Sequence, residues 1–144
     1  MAHGARTALI LGLLVAAPTT SLAHKEYQKE FLKLYAGREH PEFRTEARRA
    51  KCLLCHQGEE DRKNCNRFGL AMAPHLVEED RKDREKIVAV IKQVVEQPSE
   101  PTVEDSPTFG ELIAGGILPG GPLEECKKEP ESSSEDEPSA DDPA

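Results

Sequence analysis

Only the middle of this chain can bury a core, and that limits its fold more than any other feature. Residues 1–23 read as a secretory signal peptide. Arg6 supplies the positive start, residues 8–17 form the apolar run, and Pro18 ends it. Ser21, Leu22 and Ala23 place small residues where a signal peptidase reads, so cleavage is expected after Ala23 and the mature chain from His24. An uncleaved membrane anchor is the alternative, but the run is short against the roughly 20 residues a bilayer needs. No later stretch is apolar enough to span, and no Cys at the cleavage site invites a lipid anchor. Residues 124–144 are Glu, Asp, Ser and Pro with almost nothing apolar, a composition that cannot offset its ordering entropy. This stretch is expected to be a disordered acidic tail. Its nine acids against Lys127 and Lys128 carry seven of the chain's eight net negative charges. The rest is near charge balance, and an acidic tail argues against nucleic-acid binding. The tail reads either as a docking segment for a basic partner or as plain solvated chain.

Residues 24–123 remain, about 100 positions and enough for one small domain. There is no Trp, and aromatics make up 4% of the chain. A core this thin usually needs a staple: a metal, a cofactor or a disulfide. Apolar spacing is helical throughout. Tyr27, Phe31, Leu34 and Tyr35 share a face of a helix over residues 24–35 that Gly37 stops. Pro41 opens a second helix, with Phe43, Ala47, Ala50 and Leu54 on one side. A charged turn follows over residues 58–64. Asn66 can then cap a short helix through Arg67, Phe68, Leu70 and Met72, which Pro74 ends or kinks. Ile87, Val90, Ile91, Val94 and Val95 form the clearest apolar stripe, on a helix near residues 83–97. Residues 98–105 read as an extended link. Thr108 and Glu111 have capping-box spacing for a short helix that Gly115 and Gly116 close, with Ile117 and Leu118 packing back. No segment has strand period. The expected fold is all-α, four to five short helices.

Cys52-Leu53-Leu54-Cys55-His56 is C-x-x-C-H, the signature of covalent haem c attachment. Two thiols one helical turn apart can each add to a vinyl group on one porphyrin edge, and the adjacent imidazole can then bind the iron. Cys52 and Cys55 are therefore the candidate thioether residues and His56 the proximal ligand. Attachment outside the cytoplasm agrees with the signal segment. Three other readings compete. A thiol–disulfide redox motif normally sits in a βαβ setting, which is missing here. A Cys3His zinc site from Cys52, Cys55, His56 and Cys65 has suitable ligands but an uncommon spacing. A structural disulfide needs no cofactor at all.

Three stretches together resemble a group of small exported bacterial cytochrome c-like proteins. They are Lys51-Cys52-Leu53-Leu54-Cys55-His56-Gln57-Gly58, Arg67-Phe68-Gly69-Leu70-Ala71 and Pro107-Thr108-Phe109-Gly110-Glu111-Leu112-Ile113. The likeness runs in order over residues 31–119. It implies one covalent haem c, export to the periplasm or beyond, and electron transfer to a redox partner it does not name.

The distal side of the iron stays open at this level. After processing the only methionine is Met72, close behind the motif, and His75 lies three residues on. His75 is the first candidate, since an imidazole needs a reason in an apolar segment. Met72 is the alternative, with core filler as its ordinary role. His24 and His40 lie upstream, and His40 looks like a helix-entry residue. Two filled axial sites suit electron transfer, whereas an open one permits small-ligand chemistry. Cys65 and Cys126 remain, and an oxidising compartment makes them a tentative disulfide. The competing function is a non-catalytic exported helical protein held by disulfides or zinc. No Ser/His/Asp arrangement, phosphate-cradling glycine loop or paired-carboxylate motif points to another enzyme class.

Overall fold

The computed structural model describes residues 25–38, 40–60 and 63–130. The expected signal segment with His24, and the tail from residue 131 on, lie outside them. Among the described residues six α-helices follow one another: α1 (Lys25–Tyr35), α2 (Pro41–Ala50), α3 (Arg67–Met72), α4 (Arg84–Val95), α5 (Phe109–Ala114) and α6 (Leu123–Cys126). Two 3-10 turns, Lys51–Leu54 and Glu78–Lys82, separate them. The only β pairing among the described residues is two isolated bridges, His56 with Cys65 and Pro98 with Thr108.

The apolar spacings become the core. Tyr27 and Phe31 of α1, with Phe43, Ala47 and Ala50 of α2, are buried against the α4 stripe of Ile87, Val90, Ile91, Val94 and Val95. Leu34 and Tyr35 are only half-buried at its margin. The four phenylalanines form a chain through the centre. Phe31 meets Phe43 at 6.2 Å and Phe68 at 5.4 Å between centroids, and Phe68 meets Phe109 at 5.2 Å, all edge-on. Such tilted pairs add to plain area burial because the ring edge and face carry opposite partial charge. Aromatics are few here, but each is placed at a junction between helices.

Caps set the helix ends. The Asp83 carboxylate accepts the Lys86 amide at 2.9 Å and so starts α4 one residue later than the apolar pattern required. Thr108 and Glu111 form the reciprocal box at α5: Glu111 N donates to Thr108 Oγ1 at 3.1 Å, and Thr108 N to Glu111 Oε2 at 2.7 Å. The 3-10 turn before α4 was not legible as an element. It is held by Asp80, whose carboxylate accepts Val77 N at 2.9 Å and Lys86 Nζ at 2.7 Å.

Two expectations need correction. Residues 98–105 do not run extended. Ser99 N donates to Pro107 O at 2.8 Å, Phe109 N to Gln97 O at 3.0 Å, and the Ser99 and Ser106 hydroxyls meet at 3.2 Å. The segment is a closed loop because its own serines and main chain tie its two ends together. Residues 124–126, expected to belong to the disordered stretch, lie in a helix. Leu123 and Cys126 bury one face of α6, and the carbonyls of Glu125, Cys126 and Lys128 accept donors from Gln57 and Gly58, just after the cysteine motif. Polar composition hid this, since backbone acceptors carry no sequence signature. Of the pair after α5, Leu118 packs back while Ile117 stays 45% exposed.

Candidate cofactor site

The cysteine motif sits where α2 breaks. Lys51 has φ +49°, an uncommon conformation for a residue with a side chain, and it turns the chain from α2 into the 3-10 turn that carries Cys52 and Leu54. The turn buries Leu54 and leaves Cys52 exposed at the surface. His56 comes next and is only 2% exposed. Its ring Nδ1 lies 3.1 Å from the carbonyl oxygen of Asn64. A carbonyl accepts only, so Nδ1 carries the proton and the ring's lone pair lies on Nε2, which is buried. A metal-binding histidine is held in this manner, its second nitrogen fixed by a backbone acceptor.

Asn66 locks the arrangement. Its Oδ1 accepts the amides of Phe68 at 3.1 Å and Gly69 at 3.0 Å, capping α3. Its Nδ2 donates to the carbonyls of Leu53 at 2.9 Å and His56 at 3.1 Å, inside the motif itself. One buried side chain thus clamps the motif to α3. The capping role was legible in the sequence; the clamp was not. Gly69 allows the close approach: a β-carbon there would stand 2.0 Å from the Cys55 carbonyl oxygen. Gly120 does the same from the other side, where a β-carbon would stand 2.1 Å from Asn66 Nδ2. The loop back is fastened too. Gln57 N donates to Asn64 O at 3.0 Å and Asn66 N to Cys55 O at 3.0 Å, placing Cys65 directly opposite His56. Gln57 Nε2 donates to the carbonyls of Glu125 at 2.7 Å and Lys128 at 2.6 Å, another fastening the sequence did not announce.

A cavity of about 50 Å³ opens between these parts, lined by Cys52, Cys55, His56 and Cys65, with Tyr27, Leu54 and Met72 among its walls. A second, more open hollow of about 290 Å³ shares Lys51, Cys52 and His56 with it. Burial pushes the Cys55 thiol up to about 12, with the Cys65 and then the Cys52 sulfur adding to the effect. Cys55 is therefore a neutral thiol at physiological pH. Cys65 and Cys126, the expected disulfide pair, are not joined to each other. Cys126 is buried with its sulfur 3.6 Å from the Gly121 carbonyl, and burial raises its pKa.

Of the two distal candidates, Met72 lines the cavity of His56. His75 is half-buried outside it: α3 ends at Met72, and the turn that follows, with His75 N on Met72 O at 3.1 Å, carries the imidazole away. His40 is exposed at the start of α2, where it makes no side-chain cap. Among the described residues no three His, Cys, Asp or Glu side chains are grouped to hold a metal ion. No helix among them is long and apolar enough to cross a membrane.

The fold and the site thus define a small all-α domain whose cysteine-histidine motif is held by an asparagine clamp. Compared with protein-family models, with curated proteins and with solved structures, the chain matches none.

Proposed function

We propose that this chain is an exported cytochrome c-like protein that binds one haem covalently and carries single electrons. The observation that carries the reading is the buried His56 ring, oriented by the Asn64 carbonyl, at a cavity shared with both motif cysteines. The donor set fits the group: two thiols within one turn and an imidazole whose lone pair lies on its buried nitrogen. Room is the condition. Cofactor sites take roughly 300–1,000 Å³, so a porphyrin fits only if the cavity opens into the second hollow at the exposed Cys52 edge.

A haem held there supplies a one-electron Fe(III)/Fe(II) couple. In this reading Cys52 and Cys55 would tether it and the His56 imidazole would bind the iron. Met72 is the favoured distal ligand over His75, because it alone of the two faces the cavity. The Asn64 carbonyl holds the imidazole in one orientation, Asn66 fixes the His56 main chain, and Leu54 and Tyr27 line the same cavity. The test is a pyridine haemochrome spectrum of the mature protein, made in a host with a haem c maturation system. Colour that survives acid-acetone extraction, and is lost in a Cys52→Ala/Cys55→Ala variant, supports the proposal. A colourless product, from a strain that matures a control cytochrome, overturns it.

A further inference from the structure

The outer side of α1 carries a row of cations that the described fold leaves largely unneutralised. Lys25, Lys29 and Lys33 recur every four residues and so share one helix face. Arg48 of α2 joins them around an open hollow of about 500 Å³ floored by Leu32 and Ala36. Lys33 pairs with Glu30 at 2.6 Å, but Arg84 takes the same carboxylate at 3.0 Å. Lys25, Lys29 and Arg48 are exposed and have no acidic partner among the described residues. Like charges four apart on a helix repel, so the row weakens α1 until an anion covers it. The hollow beside the cysteine motif is a poorer anion site. Of its cations Arg49 is held by Glu46 and Lys127 by Glu124, and Glu59 lines it as well.

We propose that residues 131–144 of the same chain dock on this cationic hollow of Lys25, Lys29, Lys33 and Arg48. The segment holds six acids, Glu131, Glu135, Asp136, Glu137, Asp141 and Asp142, and no Lys or Arg. Its root is pinned. Gln57 holds the carbonyls of Glu125 and Lys128, and the Glu129 carboxylate accepts Glu60 N at 2.8 Å. Lys127 shares a hollow with Arg49, the neighbour of Arg48 in the last turn of α2, so the root lies near the proposed site. Fully extended, residues 131–144 reach at most about 50 Å. A domain of this size has a radius of gyration of about 13 Å, so reach is not limiting and charge selects the place. A fixed root gives the acids an effective concentration of about millimolar, and several pairs that are each weak in water then act together. Lys25 and Gln28 also wall the cavity of His56. The docked tail therefore lies beside that cavity and keeps other acidic chains off the face. The contact does not depend on the haem reading.

The experiment uses the mature chain through Ala144, dilute and at low salt. A carbodiimide, which joins carboxylates to amines without a spacer, couples the tail to the lysines it touches. Trypsin cleaves after Lys128 and releases the tail as one peptide with whatever is bound to it. The expected result is cross-links from that peptide to Lys25 and Lys29, lost in about 1 M NaCl, where the screening length falls to about 3 Å. Equal mixtures of isotope-labelled and unlabelled protein should give no hybrid cross-links. The rate of amine acetylation is an independent reading. A full-length variant carrying Glu131→Gln, Glu135→Gln, Asp136→Asn, Glu137→Gln, Asp141→Asn and Asp142→Asn should acetylate several-fold faster at Lys25 and Lys29. Lys82 and Lys92, also exposed, should not change. Cross-links chiefly to Lys51, or spread evenly over the lysines, overturn the proposal. Mainly hybrid cross-links overturn it in favour of a second copy. Equal acetylation rates in the two proteins overturn it and leave the hollow to an acidic partner from outside.

Discussion

At the scale of single residues the asparagine clamp decides the site. Asn66 is 4% exposed and satisfies two helix-end amides and two motif carbonyls at once. Asn66→Ala removes a cap worth about 1 kcal/mol and strands the buried His56 carbonyl at a cost of about 1–3 kcal/mol. We expect a loss of about 2–4 kcal/mol by urea titration. Asn66→Asp keeps the cap but sets a buried carboxylate oxygen against Leu53 O and His56 O, and should cost at least as much as alanine. Gly69→Ala would force a β-carbon against the Cys55 carbonyl. Its backbone cannot give way as a flexible side chain would, so we expect a destabilisation above the usual 1–3 kcal/mol of an overpacked core, together with faster alkylation of Cys55. An unchanged Cys55 labelling rate in a folded Gly69→Ala protein would show that the contact does not hold the motif.

At the scale of elements the caps are the measurable parts. The Thr108 amide and hydroxyl hold the Glu111 carboxyl below the ordinary glutamate range. A carboxyl lowered in the folded state adds stability that is fully present above its unfolded value of about 4.3. That stability is lost as pH falls through the lowered folded value. Removing the pair should therefore lower stability at neutral pH and flatten the acid limb below about pH 4.3. Thr108→Ala should cost about 1 kcal/mol at pH 7 by loss of the cap. Melting curves of Glu111→Gln between neutral and acid pH check the sign: its difference from wild type should shrink toward low pH. The first helix shows a second device. Glu30, buried on α1, takes Lys33 at 2.6 Å and Arg84 of α4 at 3.0 Å, and both bonds hold its carboxyl below the usual range. The pair ties α1, whose first turn walls the cavity, to the longest helix.

At the scale of the molecule a short aromatic chain does what a larger core does elsewhere. Phe68 touches both Phe31 and Phe109 and so links α1, α3 and α5. Phe68→Ala should cost about 3–5 kcal/mol. Domains of this size are stable by only about 5–15 kcal/mol, so the variant should be largely unfolded well below the melting temperature of the parent in a calorimeter. The same result would show that the core stands without a bound group. A covalent haem would then add to a folded domain and not create it.

The periodicity of this chain was enough to set its class. Phe43, Ala47 and Ala50 are buried together, as are Ile87, Val90, Ile91, Val94 and Val95, because helical spacing puts them on one face whatever they pack against. Leu54, expected on the same helix as Phe43, is buried instead from the 3-10 turn that follows the break at Lys51. The box at Thr108 and Glu111 was equally local, since its partners lie three residues apart. C-x-x-C-H pointed to the chemistry proposed for the site, because covalent haem attachment needs its thiols one turn apart. Other features waited for the tertiary structure. The return of residues 125–128 onto Gln57 and Gly58 uses backbone carbonyls that any residue offers. The approach of Gly69 to the Cys55 carbonyl and the entry of Met72, not His75, into the cavity depend on where α3 docks. That docking is set by one asparagine and two glycines reaching across the fold, a long-range fit that no window of sequence contains.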